Sequence, residues 1–250
     1  MMTVSYDLHI HSALSPCADL DMTPGNIVAM AALKGLQIIA VTDHQCCGNC
    51  AAVMLAAEKQ GGPVVLPGLE IESSEEIHLL CLLPDLTAAQ MMECFVQQHL
   101  PELSNRPLIF GEQLLFDSED HQTGSVDRLL LQPCRLDCQT LAEMALGLGG
   151  VLIPAHVDRD AYSMLQTLGA IPVDYPTSWL EYSSPEKAAA LFRDKPELAA
   201  YRTLFNSDAH HLKDIAEAGP TLDLALAKQD LSAPEARQRM VTAVLSALRP

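Results

Sequence analysis

Positive charge is what this 250-residue chain has least of: 15 Lys and Arg stand against 32 Asp and Glu, a formal net charge of −17. A protein this acidic has no basic footprint for gripping the phosphates of long nucleic acid, so stable binding of that kind is not expected. Any phosphate it handles must meet positive charge locally, from bound metal ions and one or two arginines. Long apolar runs are also missing, because Asp, Lys, Gln or Pro interrupts each candidate before it reaches the roughly 20 residues of a membrane span. The start, Met1-Met2-Thr3-Val4-Ser5-Tyr6, has no basic segment followed by an apolar one. No secretory signal is read there, and a cytoplasmic location is expected. Cys17, Cys46, Cys47, Cys50, Cys81, Cys94, Cys134 and Cys138 then point to reduced thiols rather than a disulfide framework. There is no internal repeat, low-complexity tract or flexible linker. With a hydrophobic share of 49%, ample for a large core, residues 1–250 read as a single domain.

What is present is strand alternating with helix across short connections, the pattern of a parallel α/β sheet. A helix starts at Thr23 as cap, with Pro24 at the first helical position, and stops at Gly35. Strands over 4–8, 37–42, 64–66 and 77–83 alternate with helices, the second and third over 49–60 and 87–99, the last with Met91, Met92, Phe95 and Val96 on its inner face. The rhythm breaks over 101–136, where apolar stretches at 114–117 and 126–131 flank a polar tip. That reads as a β-hairpin or lid inserted around 110–132. Strands over 150–154, 178–182 and 202–206 follow, with helices over 139–148, 160–168, after the Ser184-Pro185 cap, and over 233–248. The count is about seven strands, one short of the usual eight-stranded barrel.

Four strands end in histidine-bearing fragments: Asp7-Leu8-His9-Ile10-His11, Thr42-Asp43-His44, Ala155-His156 and Ser207-Asp208-Ala209-His210. Side chains at the carboxyl ends of parallel strands converge however far apart they lie in sequence, and convergent imidazoles and carboxylates are ligands for divalent metals. His9 and His11, two apart on a strand, project from the same face, and Asp7 shares their parity. Pro67-Gly68-Leu69-Glu70 sets a carboxylate where the third strand leaves the core, and Glu76-Ile77-His78 opens an otherwise apolar strand. Taken singly, Glu70 is an ordinary loop acid and His78 a structural imidazole; their company points to metal. Arg159, three residues after His156, is either a phosphate-binding guanidinium or a surface helix residue. Cys46-Cys47-x-x-Cys50 lacks a fourth thiolate ligand and reads as small residues packed around a helix start. Trp179 reads as core.

In combination these fragments resemble the PHP (polymerase and histidinol phosphatase) superfamily of metal-dependent phosphoesterases. D-L-H-x-H-S comes first, then T-D-H, P-G-x-E, x-H-x-L, A-H and S-D-A-H, in that order over residues 5–225. The resemblance implies a distorted (β/α)7 TIM-like barrel with two or three divalent ions (Zn, Mn or Fe) at the carboxyl ends of its strands. It implies one metal site from His9, His11, Glu70 and Asp208. A second would use His44, His210 and an early carboxylate, and a third His78 and His156 with Glu70 bridging. Where relatives read H-S-x-x-S-D-G, this chain has His11-Ser12-Ala13-Leu14-Ser15-Pro16-Cys17-Ala18-Asp19. Counting back from Thr23-Pro24 makes Asp19 the early carboxylate, with Asp21 as the alternative. Glu70 and Asp43 are the candidate catalytic carboxylates, Asp43 either orienting an imidazole or acting as leaving-group acid.

No nucleophile motif accompanies these ligands, so the expected reaction is hydrolysis by a metal-activated water. The expected substrate is a small phosphomonoester or phosphodiester, such as a nucleotide or short oligonucleotide. Two other classes compete. An amidohydrolase-like metallohydrolase would need a metal-adjacent lysine, whereas Lys34, Lys59, Lys187, Lys195, Lys213 and Lys228 all fall on helices or loops. A non-catalytic domain stabilised by metal is opposed by the near-complete ligand set.

Overall fold

The computed structural model describes residues 1–227 and 233–250, so Lys228 lies outside the described residues. The first five elements are β1 (Met2–Ile10), α1 (Pro24–Leu33), β2 (Ile38–Val41), α2 (Cys50–Gln60) and β3 (Val64–Glu72). Here β1, β2 and β3 are parallel neighbours, with Asp7 opposite Ile39 and Ile38 opposite Val64. The next strand, β4 (His78–Leu82), runs antiparallel to β3. Its connection is a tight turn in which Ser73 N donates to the Ile77 carbonyl (2.9 Å) and Glu76 takes φ 59°. A turn that short cannot carry the crossover that a parallel pair requires, so the expected all-parallel order fails here for a local reason.

After α3 (Leu86–Gln97) come α4 (Pro107–Phe110), β5 (Leu114–Phe116), β6 (Gln122–Ser125), α5 (Cys138–Gly147) and β7 (Val151–Pro154). On α3 Met92 is buried and Met91 exposed, because consecutive helical residues cannot share one face. The chain then forms α6 (Met164–Leu168), β8 (Trp179–Tyr182), α7 (Pro185–Asp194), β9 (Arg202–Phe205), β10 (Thr221–Leu224) and α8 (Pro234–Leu248). The hydrogen-bonded sheet has six strands in the order β10-β1-β2-β3-β4-β7, with β8 and β9 as a separate parallel pair. It is a curled, TIM-like half-barrel rather than seven continuously paired strands. The curl returns on itself at the carboxyl rim, where Val157 N donates to Glu181 O (2.9 Å) and His11 N to Ala209 O (3.0 Å).

Alternating strand residues serve two cores. Val4, Tyr6, Leu8, Ile38, Ala40 and Leu66 pack with Met240, Val244 and Leu245 of α8, while Ile39, Val41 and Val65 pack with Ile27, Val28 and Val53 of α1 and α2. Among the described residues no helix is long and apolar enough to cross a membrane.

β5 and β6 pair antiparallel, with Leu114 opposite Ser125. Their ribbon is tied to the starts of two helices and to α2: Asn49 Nδ2 donates to Leu114 O (3.0 Å), Gly25 N donates to Asp120 Oδ1 (2.7 Å), and Lys59 meets Glu119 at 3.1 Å. His121 is exposed and paired with Asp117. The tip is held at the start of α1 and near the end of α2, while the base of the ribbon bonds to the loops that follow His11 and His44, with Leu114 N donating to Ala13 O (2.9 Å). The uncapped N–H groups at the start of α1 give the tip's acidic residues a binding place.

Candidate metal centre

The carboxylate of Glu70 is the hub of the rim. Five imidazole nitrogens lie around it: His9 Nε2 (3.3 Å), His11 Nε2 (3.3 Å), His44 Nδ1 (3.0 Å), His78 Nδ1 (2.9 Å) and His156 Nε2 (3.2 Å). Its place is set by backbone, since Glu70 N donates to Thr42 O and Asp43 O while Gln45 N donates back to Glu70 O. β3 runs on through Glu70 to Glu72, so this carboxylate belongs to a strand, not to the loop after it. Asp208 Oδ1 lies 3.3 Å from His9 Nε2 and 3.0 Å from His11 Nε2. Three groups converge closely enough to share an ion: His9, His11, Glu70 and Asp208; His11, His44 and His210; and His44, Glu70 and His78.

The donor set fits divalent metal. His9 Nε2 and His11 Nε2 are 3.2 Å apart and face the same Asp208 oxygen, and His156 Nδ1 is buried with no hydrogen-bond partner. Lone pairs crowded together and buried in this way are costly unless a cation receives them. The charges respond to the crowding. Burial by itself would raise the Glu70 carboxyl, but the imidazoles of His78, His9 and His44 reverse this and hold it well below the usual carboxylate range. Asp208 is likewise pushed up by burial and drawn down further by His9 and His11. Burial lowers the His44 imidazole well below its ordinary value and brings His210 to about 4.

Each arm of the centre is braced from behind. Burial works to raise Glu181, but His9 holds it low: its two oxygens lie 3.0 and 3.1 Å from His9 Nδ1. Glu181 also accepts from His156 N (2.9 Å) and Asn206 Nδ2 (2.7 Å). Ser15 Oγ lies 2.9 Å from His11 Nδ1 and donates to Asp43 Oδ1 (2.6 Å). Asp43 further accepts from Ser12 N (2.7 Å) and Ser12 Oγ (2.6 Å), so its oxygens are spent on the His11 loop and do not face substrate. Asp7 accepts from Ser207 N and Oγ and from Ala216 N, anchoring the loop that presents Asp208. Four non-glycine residues at this rim hold positive φ: Gln45 (55°), His156 (30°), Tyr162 (55°) and Asp208 (50°). Such conformations cost of order 1–3 kcal/mol each and persist only where the surroundings enforce them.

The structure brings together eight of the nine residues read from the sequence as ligands and leaves out Asp19. Asp19 is exposed: one oxygen accepts from Asp21 N (3.1 Å) and the other lies 3.2 Å from His211 Nδ1. Those two contacts occupy both oxygens of the Asp19 carboxylate, and Asp21 is exposed as well. Arg159 reaches the centre, Nη1 lying 2.7 Å from Asp208 Oδ2 with the side chain 40% exposed. The thiols of Cys46 and Cys47 donate to opposite oxygens of Glu93, each at 2.9 Å, and Cys50 is buried beneath them, all three reduced. Among the described residues no lysine pairs with the cluster: Lys34 bonds the Lys213 and Ile215 carbonyls, Lys59 Glu119, and Lys195 the Gly169 carbonyl. Glu181 escaped the sequence reading, although an acid inside the otherwise apolar Trp179-Leu180-Glu181-Tyr182 strand was the available signal.

No protein-family model matches the chain. Over 68 residues, which are 27% of this chain and 22% of the relative, it is 38% identical to the 3',5'-nucleoside bisphosphate phosphatase of Chromobacterium violaceum. Its structure resembles the lesion-specific endonuclease Q of Pyrococcus furiosus with a TM-score of 0.57 and 20% identity, covering 97% of this chain and 56% of that one. It also resembles a Bifidobacterium adolescentis protein provisionally assigned as a metal-dependent phosphoesterase, with a TM-score of 0.53 and 18% identity, covering 86% and 89% of the two chains. The chain therefore spans well under two thirds of both the curated relative and the endonuclease. What the chain shares with these structures is a curled half-barrel, and at its own rim stands a histidine–carboxylate cluster able to hold metal ions. The order of the motifs resembles that of the PHP superfamily, and the structural likenesses, both at 20% identity or below, show a shared fold.

Proposed function

We propose that this protein hydrolyses a small phosphomonoester or phosphodiester, such as a nucleotide or short oligonucleotide, at a centre of two or three divalent ions. The observation that carries the reading is the Glu70 carboxylate with five imidazole nitrogens within 3.3 Å. The ligands proposed are His9, His11, Glu70 and Asp208 for one ion, His44 and His210 with His11 beside them for a second, and His78 and His156 with Glu70 for a third. Divalent ions at such a centre supply Lewis acidity towards phosphate oxygens and a hydrolytic nucleophile at neutral pH. Zn, Mn and Fe all suit nitrogen and oxygen donors.

The chain's own residues do the rest. Glu70, kept ionised, offers its two oxygens to different imidazole groups and so fixes the spacing of the ion sites. Arg159 has one nitrogen on Asp208, and its partly exposed guanidinium meets a non-bridging phosphate oxygen. Asp43 acts on the reaction only through Ser15 and His11, as a positioning residue. Ligands drawn from residue 9 to residue 210 favour a single domain over 1–250, and the net charge of −17 favours small substrates over long polyanions.

The test is elemental analysis of protein purified without chelator, followed by assay on chromogenic phosphomonoester and phosphodiester, mononucleotides and a DNA duplex. At least two equivalents of transition metal and turnover of a small ester are expected, with the duplex the poorest substrate. Less than one equivalent, unrecovered on adding Mn or Zn, would overturn the reading.

A further inference from the structure

A cleft of about 470 Å³ opens at the Glu70–His78–His156 corner of the centre, walled by His78, His156, Arg159, Tyr162 and Lys187. Its charges balance. Arg159 and Lys187 face Asp158 and Asp160, with Asp158 spent on Ser183 N and Oγ and Arg159 already on Asp208. A wall of this kind does not select a second phosphate. What it offers instead is an aromatic ring. Tyr162 stacks on His78 with centroids 4.6 Å apart and planes 21° apart, yet the residue remains 48% exposed. It is also held at φ 55°, an unfavourable backbone region for a bulky side chain. Two bonds enforce that conformation: the Tyr162 carbonyl accepts from His78 N (2.9 Å), and the next residue, Ser163, is buried with its hydroxyl donated to Val157 O (2.8 Å). A strained backbone that keeps a half-exposed ring at the mouth of a charged centre is a feature that core packing does not require.

We propose that this cleft is the leaving-group subsite of the phosphoesterase and that Tyr162 is its stacking platform, selecting esters whose leaving group carries a planar ring, as a nucleoside does. The inference rests on the phosphoesterase reading above. With phosphate at the metal centre beside Arg159, the organic part of the ester extends over His78 onto the Tyr162 ring. Stacking tolerates any base, because every base has a π face.

The test compares calorimetric binding and hydrolysis of adenosine 5'-monophosphate and glycerol 3-phosphate on the metal-loaded protein. The variants are Tyr162→Phe, Tyr162→Leu and Tyr162→Ala. The readout is the ratio of the two dissociation constants, with the ratio of kcat/KM beside it. Wild type should prefer the nucleotide; Tyr162→Phe should keep the preference, and Tyr162→Leu and Tyr162→Ala should lower it by about ten-fold, the scale of one base–aromatic stack. Tyr162→Leu retains bulk against His78, so it reads the π face even if the alanine variant does not fold. A ratio unmoved by Tyr162→Leu, or equal losses on both esters, would overturn the subsite while leaving the phosphoesterase intact. If neither ester binds the metal-loaded wild type, the subsite falls, and if no chromogenic monoester or diester is turned over either, the phosphoesterase reading falls with it.

Discussion

The Nδ1 of His9 sits against both oxygens of Glu181, at 3.0 and 3.1 Å, and this contact decides which nitrogen of His9 faces the metal centre. With Nδ1–H donated to the carboxylate, the Nε2 lone pair is left pointing at Glu70 and Asp208. Because Glu181 also accepts from His156 N and Asn206 Nδ2, one buried side chain on β8 ties together the strands that carry three ligands.

Removing that brace should weaken metal binding without touching a ligand. Glu181→Ala is expected to lower metal affinity about 10–100-fold, the usual cost of losing a carboxylate behind a metal-bound imidazole. Glu181→Gln, which keeps an acceptor but no charge, should fall between. Competition with a chromophoric chelator measures it, and wild-type affinity in Glu181→Ala would mean that packing alone orients His9.

Glu70→Gln should be the most damaging carboxylate substitution, lowering metal content and phosphoesterase turnover together. If turnover stays within ten-fold of wild type, a barrier change below about 1.4 kcal/mol, Glu70 does not bridge two ions.

Asp43→Asn tests the two roles considered for Asp43. Its carboxylate accepts from Ser12 N, Ser12 Oγ and Ser15 Oγ, and an amide cannot accept from all three without leaving a buried donor unpaired. A stability loss of about 1–3 kcal/mol is expected, read as a lower Tm, together with weaker metal binding through the loosened His11. A leaving-group acid would behave differently, with slower turnover at unchanged Tm and metal affinity.

Metal binding should release protons. Burial alone would lower the His11 imidazole, but its bonds to Asp208 and Glu70 outweigh that and raise it to about 9. Below that pH the metal-free protein holds a proton on His11 that a metal must displace, so affinity should climb as pH rises from about 6.5 towards 9. Calorimetric titration at pH 7.5 in buffers of different ionisation enthalpy should show buffer-dependent heats. Heats that do not depend on buffer would mean that His11 is neutral before metal arrives.

Local pattern and residue chemistry made much of this molecule legible. The two-residue period of a strand places His9 and His11 on one face, and Pro24 at the first position of α1 and Ser184 capping α7 mark where those helices begin. The strand-end histidines and their order carried the family resemblance. What a one-dimensional pattern does not hold is which donor a side chain reaches first. Asp19 has the composition of a ligand, yet its own loop and His211 take its oxygens, whereas Glu181, hidden in an apolar strand, becomes the brace of His9. The 110–132 segment reads as a ribbon, but its partners, Ala13, Asn49, the uncapped start of α1 and the Lys59 ammonium, are met only in the fold. The antiparallel turn of β4, too, follows from how few residues separate it from β3. Sequence by itself determined which residues have metal-binding chemistry and which strand ends carry them, because spacing and side-chain type are local. Tertiary structure alone decided which of them meet, because contacts between residues some 200 positions apart depend on how the sheet curls back on itself.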